Sequence, residues 1–149
     1  MSDLHTNGTI VVGIDGSELS NRALEWALDE AEAHGKKLVL VHGVELGLSV
    51  AEPYGGGYVF EQLQEAGRLA LADAEAVATA RGVPVESRLE TGPPAYALVE
   101  ASKHADLVVV GSRGHGGFVG LLLGSVSASC VHHAHCPVVV IRPPDKTDR

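Results

Sequence analysis

Five short runs rich in Val, Ile and Leu alternate along the chain with longer segments of helical periodicity. Most of these runs are apolar on both faces of an extended strand, which is typical of strands buried inside a sheet. Buried strands joined by helices form right-handed crossovers and therefore an open parallel sheet with helices on both faces. The sequence thus predicts a single α/β domain over residues 1–149, with a core at about 9–142.

The pattern places strands at 9–15, 37–44, 85–89, 106–111 and 137–141. Ser17 or Ser20 can cap the first helix, which ends at Gly35. Further helices are predicted at 60–81, from the turn at 91–94 to about residue 104, and at 125–133. Glycines cluster in 45–58 and 112–123, which are predicted to be loops.

Charge and composition exclude several classes of function. The chain carries 11 basic and 19 acidic side chains, a net charge of −8, which provides no basic footprint for nucleic acid or anionic lipid. No apolar run approaches the roughly 18 residues of a membrane span. Met1–Gly8 is polar, and Cys130 and Cys136 form no disulfide framework. We therefore expect a cytoplasmic protein that binds neither nucleic acid nor membrane.

The loop after the fourth predicted strand contains the residues best suited to bind an anion. Its glycines allow close approach of backbone amides, and the start of the following helix carries partial positive charge. Arg113 can contact a phosphate, as can the hydroxyls of Ser125 and Ser127, and His115 is a candidate phosphate neighbour. Neither GxxxxGK(S/T) nor GxGxxG is present. A plain flexible loop is the alternative, but glycines, an arginine and a serine-started helix together favour an anion site.

Asp15 follows the first predicted strand and has two alternative roles. Its carboxylate can cap the next helix by accepting from the amides of Ser17 or Glu18. It can also contact a nucleotide and hold Mg²⁺, which prefers a few oxygen ligands together with substrate phosphates. Both roles are compatible with one side chain.

Gly111, Gly114, Gly124 and Ser125 match the pattern Gly-x2-Gly-x9-Gly-Ser/Thr, which resembles the nucleotide motif of the universal stress protein family. The stretches 10–17 (Ile-Val-Val-Gly-Ile-Asp-Gly-Ser), 40–42 and 136–142 resemble the same family, in the same order. The resemblance implies the strand order 3-2-1-4-5 and a member of the ATP-binding branch. Together with the loop residues, it implies an ATP site formed by Gly13, Ile14, Asp15, Val41, Val110, Gly111, Ser112, Arg113, Gly114, His115, Gly116, Gly124, Ser125, Val126 and Ser127.

Little in the sequence supports efficient catalysis. No Ser-His-Asp arrangement or paired carboxylates can be singled out, and Arg113 is nearly alone as a charge near the expected phosphates. We therefore expect a non-enzymatic, nucleotide-dependent regulatory module of the stress response, with slow ATP hydrolysis at most. The alternatives are a slow ATPase or autophosphorylating enzyme, and a carrier of a cyclic nucleotide such as cAMP.

The end of the chain raises two further expectations. His132, His133 and His135 lie where a helix gives way to a strand, so their side chains diverge and a metal site is not expected. The apolar strand Pro137–Ile141 falls on a sheet edge, which a second subunit can cover to form a homodimer. The alternative is that the residues after Arg142 cover the edge.

His42, on a buried strand, is expected to be a core histidine or a pocket wall.

Overall fold

The computed structural model describes residues 8–45, 56–113 and 123–144. Its five strands form one parallel sheet in the order β3-β2-β1-β4-β5, which confirms the predicted fold class and strand order. The elements in chain order are β1 (Thr9–Gly13), α1 (Glu18–His34), β2 (Lys37–Val44), α2 (Gly56–Ala80), β3 (Val85–Thr91), α3 (Pro94–Ser102), β4 (Leu107–Gly111), α4 (Ser125–His133) and β5 (Val138–Ile141).

Side chains that alternate along the central strands fill two separate cores. Ile10 and Val12 of β1 pack with α1 and α2 on one face of the sheet. Val11 of β1 and Val108 of β4 pack with α3 and α4 on the other face. Each central strand is therefore buried on both sides, which is why it reads as a continuous apolar run.

Helix α1 is defined by caps at both ends. Ser17 is the N-cap, and its hydroxyl accepts from the Ser20 amide at 3.2 Å. Gly35 ends the helix in the left-handed conformation, with φ of 65°. Of the two predicted caps, Ser17 is the one used, while Ser20 is buried beneath the preceding turn.

Four predicted boundaries are wrong by a few residues. Strand β1 ends at Gly13 rather than residue 15, because the Asp15 amide turns away to donate to the Ser20 hydroxyl. Strand β3 continues to Thr91, paired with Val44 at the end of β2. Helix α2 begins at Gly56, inside the region predicted to be a loop, and α3 ends at Ser102 rather than near residue 104.

No helix within the three described ranges is long and apolar enough to cross a membrane.

Candidate functional site

A cavity of about 650 Å³ opens at the carboxyl ends of the strands, above the junction of β1 and β4. At this junction the strand order reverses, because β2 and β3 lie on one side of β1 in the sheet while β4 and β5 lie on the other. Loops that leave two adjacent parallel strands toward opposite faces create a crevice between them, which is where open α/β sheets bind ligands. The topology therefore makes this crevice the candidate ligand site.

Most of the site residues expected from the sequence surround this cavity. Ser112 does not line it, and Gly114, His115 and Gly116 lie outside the described residues. The predicted residues that line the cavity are Gly13, Ile14, Asp15, Val41, Val110, Gly111, Arg113, Gly124, Ser125, Val126 and Ser127.

The N-terminus of α4 faces the cavity without a side-chain cap. Its N-cap is Gly124, and the first amide to donate along the helix is that of Ala128, which bonds to the Gly124 carbonyl at 2.9 Å. The amides of Ser125, Val126 and Ser127 therefore precede the first intrahelical hydrogen bond. All three residues line the cavity, so this end of the helix offers backbone donors and a positive dipole end to a ligand.

Ser112, the residue after β4, is hydrogen-bonded to the end of β5 and to the start of α4. Its amide donates to the Ile141 carbonyl at 2.7 Å, and its own carbonyl accepts from the Gly124 amide at 2.6 Å. The same carbonyl accepts from the Ser127 hydroxyl at 2.8 Å, so the proton of that hydroxyl is directed at the backbone. The Ser112 hydroxyl is buried and has no hydrogen-bond partner within the described part of the chain.

The Asp15 carboxylate belongs to the turn that leads into α1. Its Oδ1 accepts from the Ser17 amide at 2.9 Å and from the Ser17 hydroxyl at 2.6 Å. This contact supports the helix indirectly, since Ser17 is itself the N-cap. Neither of these bonds uses Oδ2, and Asp15 lines the cavity. The geometry is therefore compatible with both roles considered from the sequence.

One further wall of the cavity comprises His42 on β2 and Leu63, Ala66 and Gly67 on α2. A pocket wall was one of the two positions expected for His42, whereas the three residues of α2 were not anticipated as part of the site. The His42 Nδ1 lies 2.7 Å from the Ile14 carbonyl, which can only accept, so Nδ1 carries the proton. A glycine within an alanine-rich helix was the one sequence signal for this contact, because glycine is unfavourable there unless close packing requires it.

The histidines and cysteines near the end of the chain do not line the cavity. The rings of His132 and His133 lie 6.2 Å apart and tilted, at the C-terminal end of α4. Burial raises the pKa of the Cys130 thiol to about 11 and also raises the pKa of Cys136. In the parts of the chain that the structure covers, no group of three His, Cys, Asp or Glu side chains is placed to hold a metal ion.

Comparison with known proteins points to one family. A model of the universal stress protein family matches residues 6–142. A universal stress protein of Mycolicibacterium smegmatis is 43% identical over 136 residues, which cover 90% of this chain and 45% of that protein. The chain thus spans less than half the length of this relative.

Two solved structures of the same fold contain adenine nucleotides. A universal stress protein in complex with cAMP is 30% identical, with a TM-score of 0.69, covering 91% of this chain and 97% of that one. A universal stress protein family protein of Arabidopsis thaliana with AMP bound is 25% identical, with a TM-score of 0.69 and coverage of 95% of both chains.

Proposed function

Because the chain belongs to the universal stress protein family, we propose that it is an ATP-binding regulatory module of the stress response. The observation that carries this proposal is the uncapped N-terminus of α4, which opens with Arg113 into a cavity at the point where the strand order reverses. Backbone donors, a helix dipole and a guanidinium together favour a phosphate group.

The proposed orientation of the nucleotide follows from the chemistry of the cavity walls. The phosphates face Arg113 and the first turn of α4, where the donors lie. The base and ribose face the other end of the cavity, between Val41 and Asp15. Relatives that contain AMP and cAMP support an adenine nucleotide, and the cavity is of the size that small-molecule sites commonly have.

A magnesium ion fits one position in this arrangement. Oδ1 of Asp15 already accepts two hydrogen bonds, which leaves Oδ2 as the oxygen available to a cation. Mg²⁺ commonly takes one or two carboxylates and completes its shell with phosphate oxygens and water. Asp15 would hold the ion, which would neutralise part of the phosphate charge.

We propose binding rather than efficient turnover as the activity. Arg113 is the one cationic side chain among the described residues that line the cavity. Rapid phosphoryl transfer usually needs several cations and an oriented water molecule. Each tenfold decrease in rate corresponds to a loss of about 1.4 kcal/mol of transition-state stabilisation. Slow hydrolysis remains compatible with Asp15 and Mg²⁺. The relative that holds cAMP favours a cyclic-nucleotide carrier as the second candidate.

Strand β5 supports the proposal that two copies of the chain form a homodimer. It is the last strand of the sheet, and its four residues are all only half-buried. An apolar edge strand left open tends to pair with another chain. Pairing through 137–141 would cover both edges in a closed two-fold assembly.

The experiment that tests the nucleotide proposal uses the protein as purified. Mass spectrometry of the denatured protein identifies any nucleotide carried through purification, and calorimetry with ATP, ADP, AMP and cAMP then ranks the ligands. We expect ATP to bind more tightly than ADP. Tightest binding of cAMP would favour the carrier, and no binding of any of the four would refute the proposal.

A matched pair of variants isolates the role of Arg113. Arg113→Gln should weaken ATP binding at least about tenfold, which is about 1.4 kcal/mol. Arg142→Gln removes the same charge from an exposed residue after β5 that does not line the cavity, and it should leave ATP affinity unchanged. Equal effects of the two variants would indicate a general electrostatic effect. Phosphate release under single-turnover conditions with Mg²⁺ tests hydrolysis separately.

A further inference from the structure

We propose that His42 is a positioning residue of this site, which holds the Ile14–Asp15 turn in place, and that Gly67 provides the space its ring requires. This inference deepens the proposed function and rests on it for the identity of the ligand. It assigns a role to the wall of the cavity formed by β2 and α2, which is separate from the wall formed by α4.

The peptide between Ile14 and Asp15 is held at both of its polar ends. Its carbonyl accepts from Nδ1 of His42 at 2.7 Å, and its amide donates to the Ser20 hydroxyl at 3.1 Å. The preceding amide, that of Ile14, donates to the Val41 carbonyl at 2.9 Å. A peptide plane fixed at both ends fixes the direction in which Asp15 leaves the backbone. His42 is the side chain through which the neighbouring strand β2 contributes to this restraint.

The ring of His42 occupies space that is free because Gly67 has no side chain. A Cβ built on Gly67 would lie 2.4 Å from Cδ2 and 2.6 Å from Nε2 of His42. These distances are shorter than real Cβ contacts, so any side chain at position 67 displaces the ring. Gly67 is buried within α2, where alanine would be the better helix former. Close approach of the His42 ring accounts for glycine at this position.

The first test compares two replacements of His42 by calorimetry with ATP. Asparagine places an amide N–H near the position of Nδ1, whereas leucine fills similar space without a donor. We expect His42→Leu to weaken binding at least about tenfold and His42→Asn to stay within about threefold of the unmodified protein. Equal losses for the two variants would overturn the proposal, because the hydrogen bond would then be irrelevant.

The second test is a double-mutant cycle. Gly67→Ala should weaken ATP binding about tenfold in the unmodified protein, because the methyl group displaces the ring. In the His42→Asn background the same change should have little effect, since the shorter side chain leaves room for it. An equal loss in both backgrounds would show that Gly67 acts independently of His42 and would overturn that half of the proposal.

A third measurement requires no ligand and separates this inference from the proposed function. If His42 holds the turn, hydrogen exchange at the amides of Asp15 and Ser17 should accelerate in His42→Leu and not in His42→Asn. Should the unmodified protein bind none of the four nucleotides, the proposed function fails, yet the exchange rates still decide the role of His42. Unchanged exchange in His42→Leu would overturn the inference.

Discussion

Replacing Gly124 by alanine tests whether a ligand approaches the backbone at the start of α4. Gly124 has φ of −79° and ψ of 176°, an extended conformation that any residue adopts. An added Cβ would meet the Ser112 carbonyl oxygen at 3.4 Å and Cα of Arg113 at 3.5 Å, which are ordinary contacts. The protein alone therefore has room for alanine, and any large effect must come from a bound molecule.

The expected effect on stability is small because two contributions oppose each other. Alanine is a poorer N-cap than glycine by roughly 0.5–1 kcal/mol. The same change removes conformational freedom from the unfolded chain, which stabilises the fold by about 0.4–1 kcal/mol. The net change should stay within about 1 kcal/mol, or a shift of about 2–4 °C in Tm for a chain of this size.

The expected effect on binding is much larger. If a phosphate group lies directly against the backbone at Gly124, the new methyl group occupies its position. Loss of that approach should weaken ATP binding at least about tenfold, equivalent to about 1.4 kcal/mol. Isothermal calorimetry and thermal unfolding of the same preparation measure the two quantities independently.

Gly111→Ala is a contrasting variant, in which the fold itself lacks room for the methyl group. There the added Cβ would lie 2.8 Å from Cβ of Leu19, so the fold itself must shift. Overpacking of this kind costs about 1–3 kcal/mol and should lower Tm clearly. If Gly124→Ala instead binds ATP as the unmodified protein does, the phosphates do not approach α4 in the proposed way.

Three further outcomes are expected elsewhere in the molecule. The hydrogen bond from Arg81 lowers the pKa of Glu32, so this ion pair stabilises the fold above the ordinary carboxyl pKa and loses its effect as the pH falls through the lowered value. The Tm of Arg81→Met should therefore be lower than that of the unmodified protein at pH 7, and the difference should shrink as the pH is lowered into the acid range. Cys136 should react with a thiol reagent at pH 8 well before Cys130, which is fully buried, and equal rates measured by mass spectrometry would contradict the described packing. Val140→Pro should convert the proposed dimer to a monomer, as measured by light scattering. The chain should stay folded, because the Val140 amide faces away from β4 and its loss removes no hydrogen bond to that strand. A dimer that persists would exclude pairing through β5.

The element pattern could be predicted from sequence because each buried strand is a local apolar run. Several boundaries depended instead on contacts between distant residues. The early end of β1 follows from the Asp15 amide bonding to the Ser20 hydroxyl, a choice that no strand propensity encodes. The extension of β3 to Thr91 follows from its pairing with Val44. The strand order was available only through the resemblance to a known family.

The residues of the candidate site also differ in how far the sequence could predict them. Gly124 and Ser125 could be found because they lie in a local motif at the start of a helix, and both line the cavity. His42 and Gly67 are 25 positions apart, and their contact exists only once α2 packs across the sheet. A mid-helix glycine is visible in the sequence, but the partner that requires it is not.

The position of β1 has a consequence for how the chain acquires its structure during synthesis. One edge of β1 can pair with β2 as soon as Val41 has been made, but the other edge waits for Leu107 of β4. Until then a nascent chain exposes an apolar, unpaired central strand, which is the kind of surface that captures other unfolded chains. The crevice also needs both edges of β1 to be paired, so it cannot form before β4 has been synthesised. A ligand that binds there would therefore bind only molecules in which this sheet has assembled, and its binding would stabilise the assembled sheet.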